Sequence, residues 1–302
     1  MIGRILIVDA VPTNRIVLRV KLAAAFYDVV QAGTAEQALS YLRGAPVDLV
    51  ILSNNLPDMS GAKLCAALRR LPQARRLPLI ALLTDDAGED RCACLLAGAD
   101  DVLSRPLDDL ILLARVRSLH RARDAEIELG LHDGTQQVGG LAEAAEPYMQ
   151  AAAIVLTPAS DSPALLRASA DLAQTLGTRM NDKITVQPWD ALLRDKEAQA
   201  DVILVIEAQT GTSDGLSLLP QLRTHSGTRH AALHYVAHGH QRQQAAAALD
   251  IGAADVSTCG LDPEELSIRL RKLVARKKTA DKLRDFCNRA VVVKRKFQSE
   301  AS

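Results

Sequence analysis

The sequence is poor in aromatic residues and cysteines, and it has no surplus of charge of either sign. Only 3% of its 302 residues are aromatic, and its five cysteines are scattered along the chain. A disulfide framework or a zinc site would need paired cysteines or Cys/His clusters, so reduced thiols are expected. Because 36 basic residues balance 36 acidic ones, the whole-chain charge does not point to a partner.

Long apolar runs are absent as well. No run reaches the roughly 18 residues that a membrane span requires. The first apolar run, at residues 5–8, is short and ends in Asp9 rather than in a small-residue cleavage site. These features predict a cytoplasmic protein without a membrane segment. The length allows two domains, each large enough to bury a core of its own.

Short apolar runs alternate with amphipathic segments through the first part of the chain. The predicted strands are residues 5–8, 27–30, 49–52, 79–83 and 102–103. Helices are predicted between them, and a last helix from Pro106 to about Arg123. Continuous apolar runs are typical of strands buried on both faces of a parallel sheet. Five β-α units with short loops predict a flavodoxin-like, doubly wound five-stranded parallel sheet with helices on both faces.

The second half of the chain repeats the first. The segment GADDV at 98–102 recurs as GAADV at 252–256, and a repeat of that length indicates a duplicated domain, because solenoid repeats are far shorter. Glycines and Pro147 interrupt the pattern between the halves. The predicted layout is a domain over 1–123, a linker over 124–150, a second domain over 151–277 and a basic helical tail over 278–302.

Four motifs of the first domain resemble the response regulator receiver family, and the tandem layout resembles the receiver part of PleD-type diguanylate cyclases. The motifs are RILIVD at 4–9, DLVIL at 48–52, LPDMSG at 56–61 and AGADDVLSRPLDD at 97–109. The resemblance implies two tandem receiver domains, both degenerate, in a two-component phosphorelay or a cyclic-di-GMP-related pathway.

The resemblance also implies a phosphoacceptor pocket at the carboxyl ends of the strands. In the family, adjacent acids and an acceptor aspartate hold Mg²⁺, while a Thr or Ser and a Lys contact the phosphoryl group. The matching residues here are Asp9, Ala10, Ser53, Thr84 and Arg105. Two of the three carboxylates are missing, so we expect a vestigial pocket that binds Mg²⁺ weakly or not at all. No other cofactor, no metal site and no catalytic residue is expected.

Two interpretations of this pocket stay open. In the first, Arg105 pairs with Asp9 and substitutes for the charges of the metal ion and the phosphoryl group. In the second, the pocket is unused and only the fold is retained. Val102 stands where the family commonly has an aromatic switch residue.

The second domain departs further from the family pattern. The family's position for the acidic pair is predicted to hold Leu156-Thr157, and the region of the acceptor is predicted to hold Ile206-Glu207. The element that contains the lysine in the family is replaced by Thr258-Cys259-Gly260. Without acidic partners, Glu207 is interpreted as an ordinary loop carboxylate.

The Gly-Gly-Asp/Glu-Glu-Phe loop that marks a cyclase catalytic domain does not occur in the sequence. We therefore expect a non-enzymatic, phosphorylation-independent signalling adaptor. Its partners would be a histidine kinase, another response regulator or another receiver domain, with residues 90–120 as the contact region. The alternative is a truncated or fragment PleD-like regulator that lacks its output domain.

The end of the chain is basic. From Pro263 onward there are twelve Lys and Arg against five Asp and Glu, a surplus of seven positive charges. A nucleic-acid binder is one interpretation, but a solvated helix face is favoured because Asp262, Pro263 and Glu264 form a good helix start. An apolar stripe on such a helix keeps a homodimer open. Three nearby histidines, His234, His238 and His240, lack the carboxylate or cysteine support of a metal site.

Overall fold

The computed structural model describes residues 3–84, 88–132, 151–195, 199–207, 215–238, 241–257 and 262–300, with side chains described throughout these ranges except at 129–132 and 286–300. The chain divides into two compact units, residues 1–123 with 264–268 and residues 124–263 with 269–302. Most of the predicted linker, residues 133–150, lies outside the described residues. No helix in the described ranges combines the length and the apolar character that a membrane crossing requires.

The first domain is built on a five-stranded parallel sheet in the order β2-β1-β3-β4-β5. Its strands are β1 Arg4–Val8, β2 Asp28–Ala32, β3 Leu49–Ser53, β4 Leu79–Leu83 and β5 Asp101–Ser104. Its helices are α1 Pro12–Ala24, α2 Ala35–Gly44, α3 Gly61–Arg70, α4 Gly88–Leu96 and α5 Asp109–His132. The central strands are buried from end to end, as their continuous apolar runs predict.

The second domain repeats this topology, with the order β7-β6-β8-β9-β10. Its strands are β6 Ala153–Pro158, β7 Lys183–Val186, β8 Val202–Ile206, β9 Ala232–Val236 and β10 Asp255–Ser257. Its helices are α6 Pro163–Arg179, α7 Trp189–Arg194, α8 Gly215–Thr224, α9 Arg242–Ile251 and α10 Pro263–Glu300. The predicted fold class, two tandem flavodoxin-like domains, is confirmed.

Local hydrogen bonds explain where the elements differ from their predicted bounds. Helix α5 begins at Asp109 rather than Pro106, because the Asp108 carboxylate accepts hydrogen bonds from the N–H groups of Leu110 (2.9 Å) and Ile111 (3.2 Å). A helix start of this kind satisfies N–H groups that have no partner inside the helix. The same helix continues past Arg123 to His132, so the first part of the predicted linker is helical.

An arginine anchors the same turn in both domains. The Arg69 guanidinium donates to the carbonyl oxygens of Gly98 (2.7 Å) and Leu77 (2.6 Å). The Arg223 guanidinium donates to Gly252 O (2.8 Å) and Ala231 O (3.0 Å) in the same way. Gly98 and Gly252 have φ of +112° and +120°, a conformation that favours glycine. The duplication seen in the sequence therefore extends to side-chain contacts.

Candidate functional site

The carboxyl ends of four strands bring the predicted pocket residues of the first domain together. Asp9 follows β1, Ser53 is the last residue of β3, Thr84 follows β4, and Arg105 follows β5. Asp9 is 2% exposed and Ser53 is 6% exposed. Parallel strands all end at the same edge of the sheet, where α/β proteins of this topology bind their ligands.

Asp9 is held by one cation and two neutral donors. Arg105 Nη2 lies 2.8 Å from Asp9 Oδ2, and the Arg105 side chain is 24% exposed. The N–H of Val11 donates to Asp9 Oδ1 at 2.8 Å, and Asn14 Nδ2 lies 3.3 Å from both carboxylate oxygens. A buried carboxylate requires such partners, because without them its loss of hydration is not offset. The pocket thus carries its own counter-charge.

The rest of the pocket consists of hydroxyl and amide groups. The N–H of Asn55 donates to Ser53 Oγ at 3.4 Å, and Asn55 Nδ2 donates to Thr84 Oγ1 at 3.1 Å. Ala10 supplies only a methyl group at the position of the second acid. Among the five predicted residues, Asp9 alone has a carboxylate.

Asp58 fixes the loop beside this pocket, and the sequence analysis did not assign it a role. Its carboxylate accepts hydrogen bonds from Ala35 N (3.0 Å) and Glu36 N (2.9 Å) at the start of α2. Desolvation alone would raise the pKa of Asp58, but these backbone donors outweigh it and hold the pKa below its usual range. The position of Asp58 within the LPDMSG loop was the only feature of the sequence that pointed to this role.

The hydrogen-bond register of the second sheet corrects the predicted position of its acidic pair. Arg4 N–H donates to Asp48 Oδ2 (2.7 Å), and Ala153 N–H donates to Asp201 Oδ2 (2.9 Å). Arg4 therefore corresponds to Ala153. Counting along each strand, the residues at the acidic pair are Pro158 and Ala159, and the prediction of Leu156-Thr157 was wrong by two residues.

The same register places Ile206, not Glu207, at the acceptor position. Ser53 pairs with Leu82 in the first sheet, and Ile206 pairs with Val236 in the second. The following residue donates its N–H back across the ladder in both cases, from Asn54 to Leu82 O and from Glu207 to Val236 O. The acceptor position of the second domain is thus aliphatic.

Glu207 is a buried structural acid rather than the loop carboxylate that we predicted. It is 3% exposed, and its Oε2 accepts hydrogen bonds from Tyr235 OH (2.7 Å) and Gly215 N (2.9 Å). Gly215 is the first residue of α8, so the carboxylate satisfies a donor at the start of that helix. A Cβ at Gly215 would lie 2.5 Å from the same oxygen.

Two histidines of the second domain, His234 and His238, contact groups within that domain. His234 is fully buried, with Nε2 2.9 Å from Ser257 Oγ and Nδ1 3.6 Å from Asp255. His238 Nε2 lies 3.0 Å from the carbonyl oxygen of Glu207. The described ranges contain no group of three His, Cys, Asp or Glu placed to hold a metal ion. His240 and the Thr258-Cys259-Gly260 segment lie outside the described residues.

Comparison with known proteins agrees with this fold. The model of the response regulator receiver domain matches residues 5–117. Response regulator PleD of Caulobacter vibrioides is 30% identical over 286 residues, which cover 94% of this chain and 62% of PleD. The phosphate regulon regulatory protein PhoB of Rhizobium meliloti is 32% identical over 127 residues, 42% of this chain and 56% of PhoB.

The solved structure of a putative response regulator from Chloroflexus aurantiacus is 30% identical in sequence to this chain. The match covers 39% of this chain and 98% of the chain in that structure, with a TM-score of 0.39. On the family match, residues 5–117 belong to the response regulator receiver family, and the chain is PleD-like by its similarity to PleD. It spans 62% of the length of PleD.

Proposed function

We propose that the chain is a non-enzymatic receiver-type adaptor that signals without being phosphorylated. The observation that supports this most directly is the ion pair between Arg105 and Asp9 at 2.8 Å, beside an acceptor position occupied by Ser53. The family match supports a role in receiver-domain signalling. The loss of phosphorylation is our own inference from the pocket.

The residues of the pocket do not fit Mg²⁺. The ion takes oxygen ligands and is usually held by one or two carboxylates. Among the five pocket residues, Asp9 has the single carboxylate, and one of its oxygens is bound to a guanidinium. A dication placed there would have to displace Arg105 or accept its repulsion. We therefore assign no step to a metal in this pocket.

Ser53 is a poor substitute for the acceptor aspartate. A carboxylate forms an acyl phosphate, whereas a serine hydroxyl would need a general base to activate it. The Ser53 hydroxyl lies near the N–H of Asn55, which is a donor and not a base. Arg105 lies at the lysine position but is bound to Asp9.

The test is the mass of the full chain after incubation with acetyl phosphate and Mg²⁺. We expect no added phosphoryl group on the natural chain. A matched variant with Ala10→Asp, Ser53→Asp and Arg105→Lys restores the family's groups and serves as the positive control. A base-labile phosphoryl adduct on the natural chain would refute the proposal.

The proposed partners are proteins, namely a histidine kinase, another response regulator or another receiver domain. Within residues 90–120, Leu96 and Leu110 are 68% and 45% exposed, which favours this region as a contact surface. A cytoplasmic location and a homodimer remain proposals of the same kind.

A second function is favoured by the alignment to PleD. Because the match covers 94% of this chain but 62% of PleD, the chain would correspond to the regulatory part of a longer protein with an output domain. Sequencing the transcript downstream of Ser302 tests this. A stop codon directly after Ser302 would rule it out, and an in-frame catalytic domain would establish it.

A further inference from the structure

A buried ion pair joins the last strand of each domain to the helix that follows it. In the first domain, Arg115 Nε lies 2.6 Å from Asp101 Oδ2. In the second, Arg269 Nη1 lies 3.2 Å from both carboxylate oxygens of Asp255. All four residues are buried. Because the pair occurs in both copies, it belongs to the duplicated scaffold and anchors α5 and α10 to their sheets.

The second domain adds a histidine to its pair. His234 lies opposite Asp255 in the ladder between β9 and β10 and is fully buried. Its Nδ1 is 3.6 Å from Asp255 Oδ2, and its Nε2 is 2.9 Å from Ser257 Oγ. Ile80 lies opposite Asp101 at the equivalent position of the first domain. Neither the fold nor the ion pair therefore requires an imidazole here.

The order Ser257, His234, Asp255 is that of a hydrolase triad, but the contacts do not support nucleophilic catalysis. A general base must pass its proton on to a leaving group, and a side chain with no exposed surface cannot reach one. The carboxylate of a triad stabilises the imidazolium that forms, whereas Asp255 is already neutralised by Arg269. These residues suit another role, since histidine is the side chain that takes up a proton near neutral pH.

The charged groups that face His234 are Asp255 and Arg269, and they contact each other. Strand β8, on the other side of β9, is apolar throughout. Helix α6 packs on the neighbouring strands β6 and β7, and its buried residues are Ser169, Leu172 and Leu176. Residues 270–276 of α10 contain no acid, and their cations are Arg271, Lys272 and Arg276. Among these described residues, Asp255 would be the single carboxylate shared by Arg269 and a protonated His234.

A proton on His234 is disfavoured while α10 is packed in place. Burial disfavours the charged form of an imidazole, and the attraction of Asp255 is offset by repulsion from Arg269 beside the same oxygen. Separation of α10 from the sheet admits water and removes both penalties. Because the ordinary pKa of histidine is about 6.5, the separated form gains stability relative to the packed form as the pH falls below that value.

We propose that His234 makes the attachment of α10 to the second domain sensitive to pH: proton uptake by the imidazole displaces Arg269 from Asp255 and loosens the helix. The pair lies near the start of α10, which runs for 38 residues from Pro263 to Glu300. The regulated element is therefore the longest helix that the structure describes. The inference goes beyond the adaptor function proposed above, and it does not depend on the pocket of the first domain.

The experiment is amide hydrogen exchange of the full chain, measured by mass spectrometry at about pH 7.5 and about pH 5.5 and corrected for the intrinsic pH dependence of exchange. One proton taken up over the pH unit below about 6.5 corresponds to about a tenfold change in an opening equilibrium. We therefore expect peptides from residues 269–276 to lose about tenfold in protection at the lower pH. The equivalent residues 115–122 of α5 are the internal control in the same sample. They should retain their protection, because Ile80 stands beside their ion pair.

Replacing the histidine identifies the group that takes up the proton. His234→Gln retains a polar side chain without the titrating group, and it should reduce the loss to less than about twofold. The matched control is His238→Gln, since His238 lies just after the same strand but contacts the carbonyl oxygen of Glu207, and it should behave like the natural chain.

Three results would overturn the inference. They are unchanged protection of residues 269–276, an equal loss in residues 115–122, and an equal loss in His234→Gln. The first two are read from the natural chain, so the test holds even where a variant does not fold. None of them involves acetyl phosphate, so this inference and the proposed function fail separately.

Discussion

At the scale of single residues, we propose that Arg105 takes the place of a metal ion as the source of positive charge in the pocket of the first domain. Among the five pocket residues, Asp9 has the one carboxylate, and the Arg105 guanidinium lies 2.8 Å from it. Because both groups belong to the chain, their attraction does not require a bound metal ion. The pocket is therefore expected to remain in one state.

Removing the guanidinium is expected to destabilise the first domain. Arg105→Ala leaves the 2% exposed Asp9 carboxylate without its cation, and breaking such a pair from one side costs about 2 kcal/mol when the cation is partly exposed. Urea unfolding followed by circular dichroism measures this change. Arg105→Lys is the control that retains the charge, and Asp9→Asn with Arg105→Ala should recover part of the loss. Equal stability of Arg105→Ala and the natural chain would contradict the expectation.

At the scale of elements, the loop after β3 is fastened to the start of α2 by Asp58. Its carboxylate accepts two backbone N–H groups that have no partner inside the helix. The loop lies directly after Ser53 and Asn55, so the same contacts hold one wall of the pocket.

The lowered pKa of Asp58 predicts a pH dependence. A carboxyl group whose pKa is lower in the folded state stabilises the fold above its unfolded pKa, about 4, and this contribution is lost as the pH falls through the folded value. Asp58→Asn should therefore lower the urea midpoint at pH 7, and the difference from the natural chain should shrink below about pH 4. Asp171→Asn, at an exposed position of α6, controls for the loss of one charge. A difference that does not vary with pH would contradict the assignment.

At the scale of the whole molecule, the two domains share packing contacts but have different residues at the pocket positions. Arg69 and Arg223 make equivalent contacts with a turn that ends in a glycine of positive φ. Burial lowers the pKa of the Arg223 guanidinium, which reflects how far it has left the solvent. The pocket positions of the second domain, in contrast, are Pro158, Ala159 and Ile206. The two domains thus share these packing contacts and differ in their pocket side chains.

Replacing either anchoring arginine is expected to destabilise the protein without altering the pocket. Arg69→Met and Arg223→Met each leave buried carbonyl oxygens without donors, at a cost of about 2 kcal/mol. Thermal and urea unfolding measure the loss. Arg76→Met, at an exposed position, is the matched control and should change stability little. If Arg223→Met behaved like the control, the contacts of the second domain would not be equivalent to those of the first.

Much of the architecture follows from local sequence. Apolar runs at 5–8, 49–52 and 79–83 predict buried parallel strands, because no other common element buries a short run on both sides. The repeat of GADDV as GAADV predicts two copies of one domain. The pocket residues Asp9, Ser53, Thr84 and Arg105 were found by counting from the ends of strands, because parallel strands end at one edge. Helix bounds were less exact where a side chain such as Asp108 decides the first turn.

The sequence alone thus determined the fold class, the duplication and the absence of two carboxylates, since these depend on spacing and residue type. Only the tertiary structure decided that Arg105 reaches Asp9, 96 positions away. It also decided that Glu207 is a buried cap and that Pro158 takes the place of the first acid. The reason is physical: strand register and buried ion pairs are set by hydrogen bonds between distant segments, which no local pattern contains. The exposure of Ile16 and Val20 on α1 is a fact of the same kind, because exposure exists only once the chain has folded.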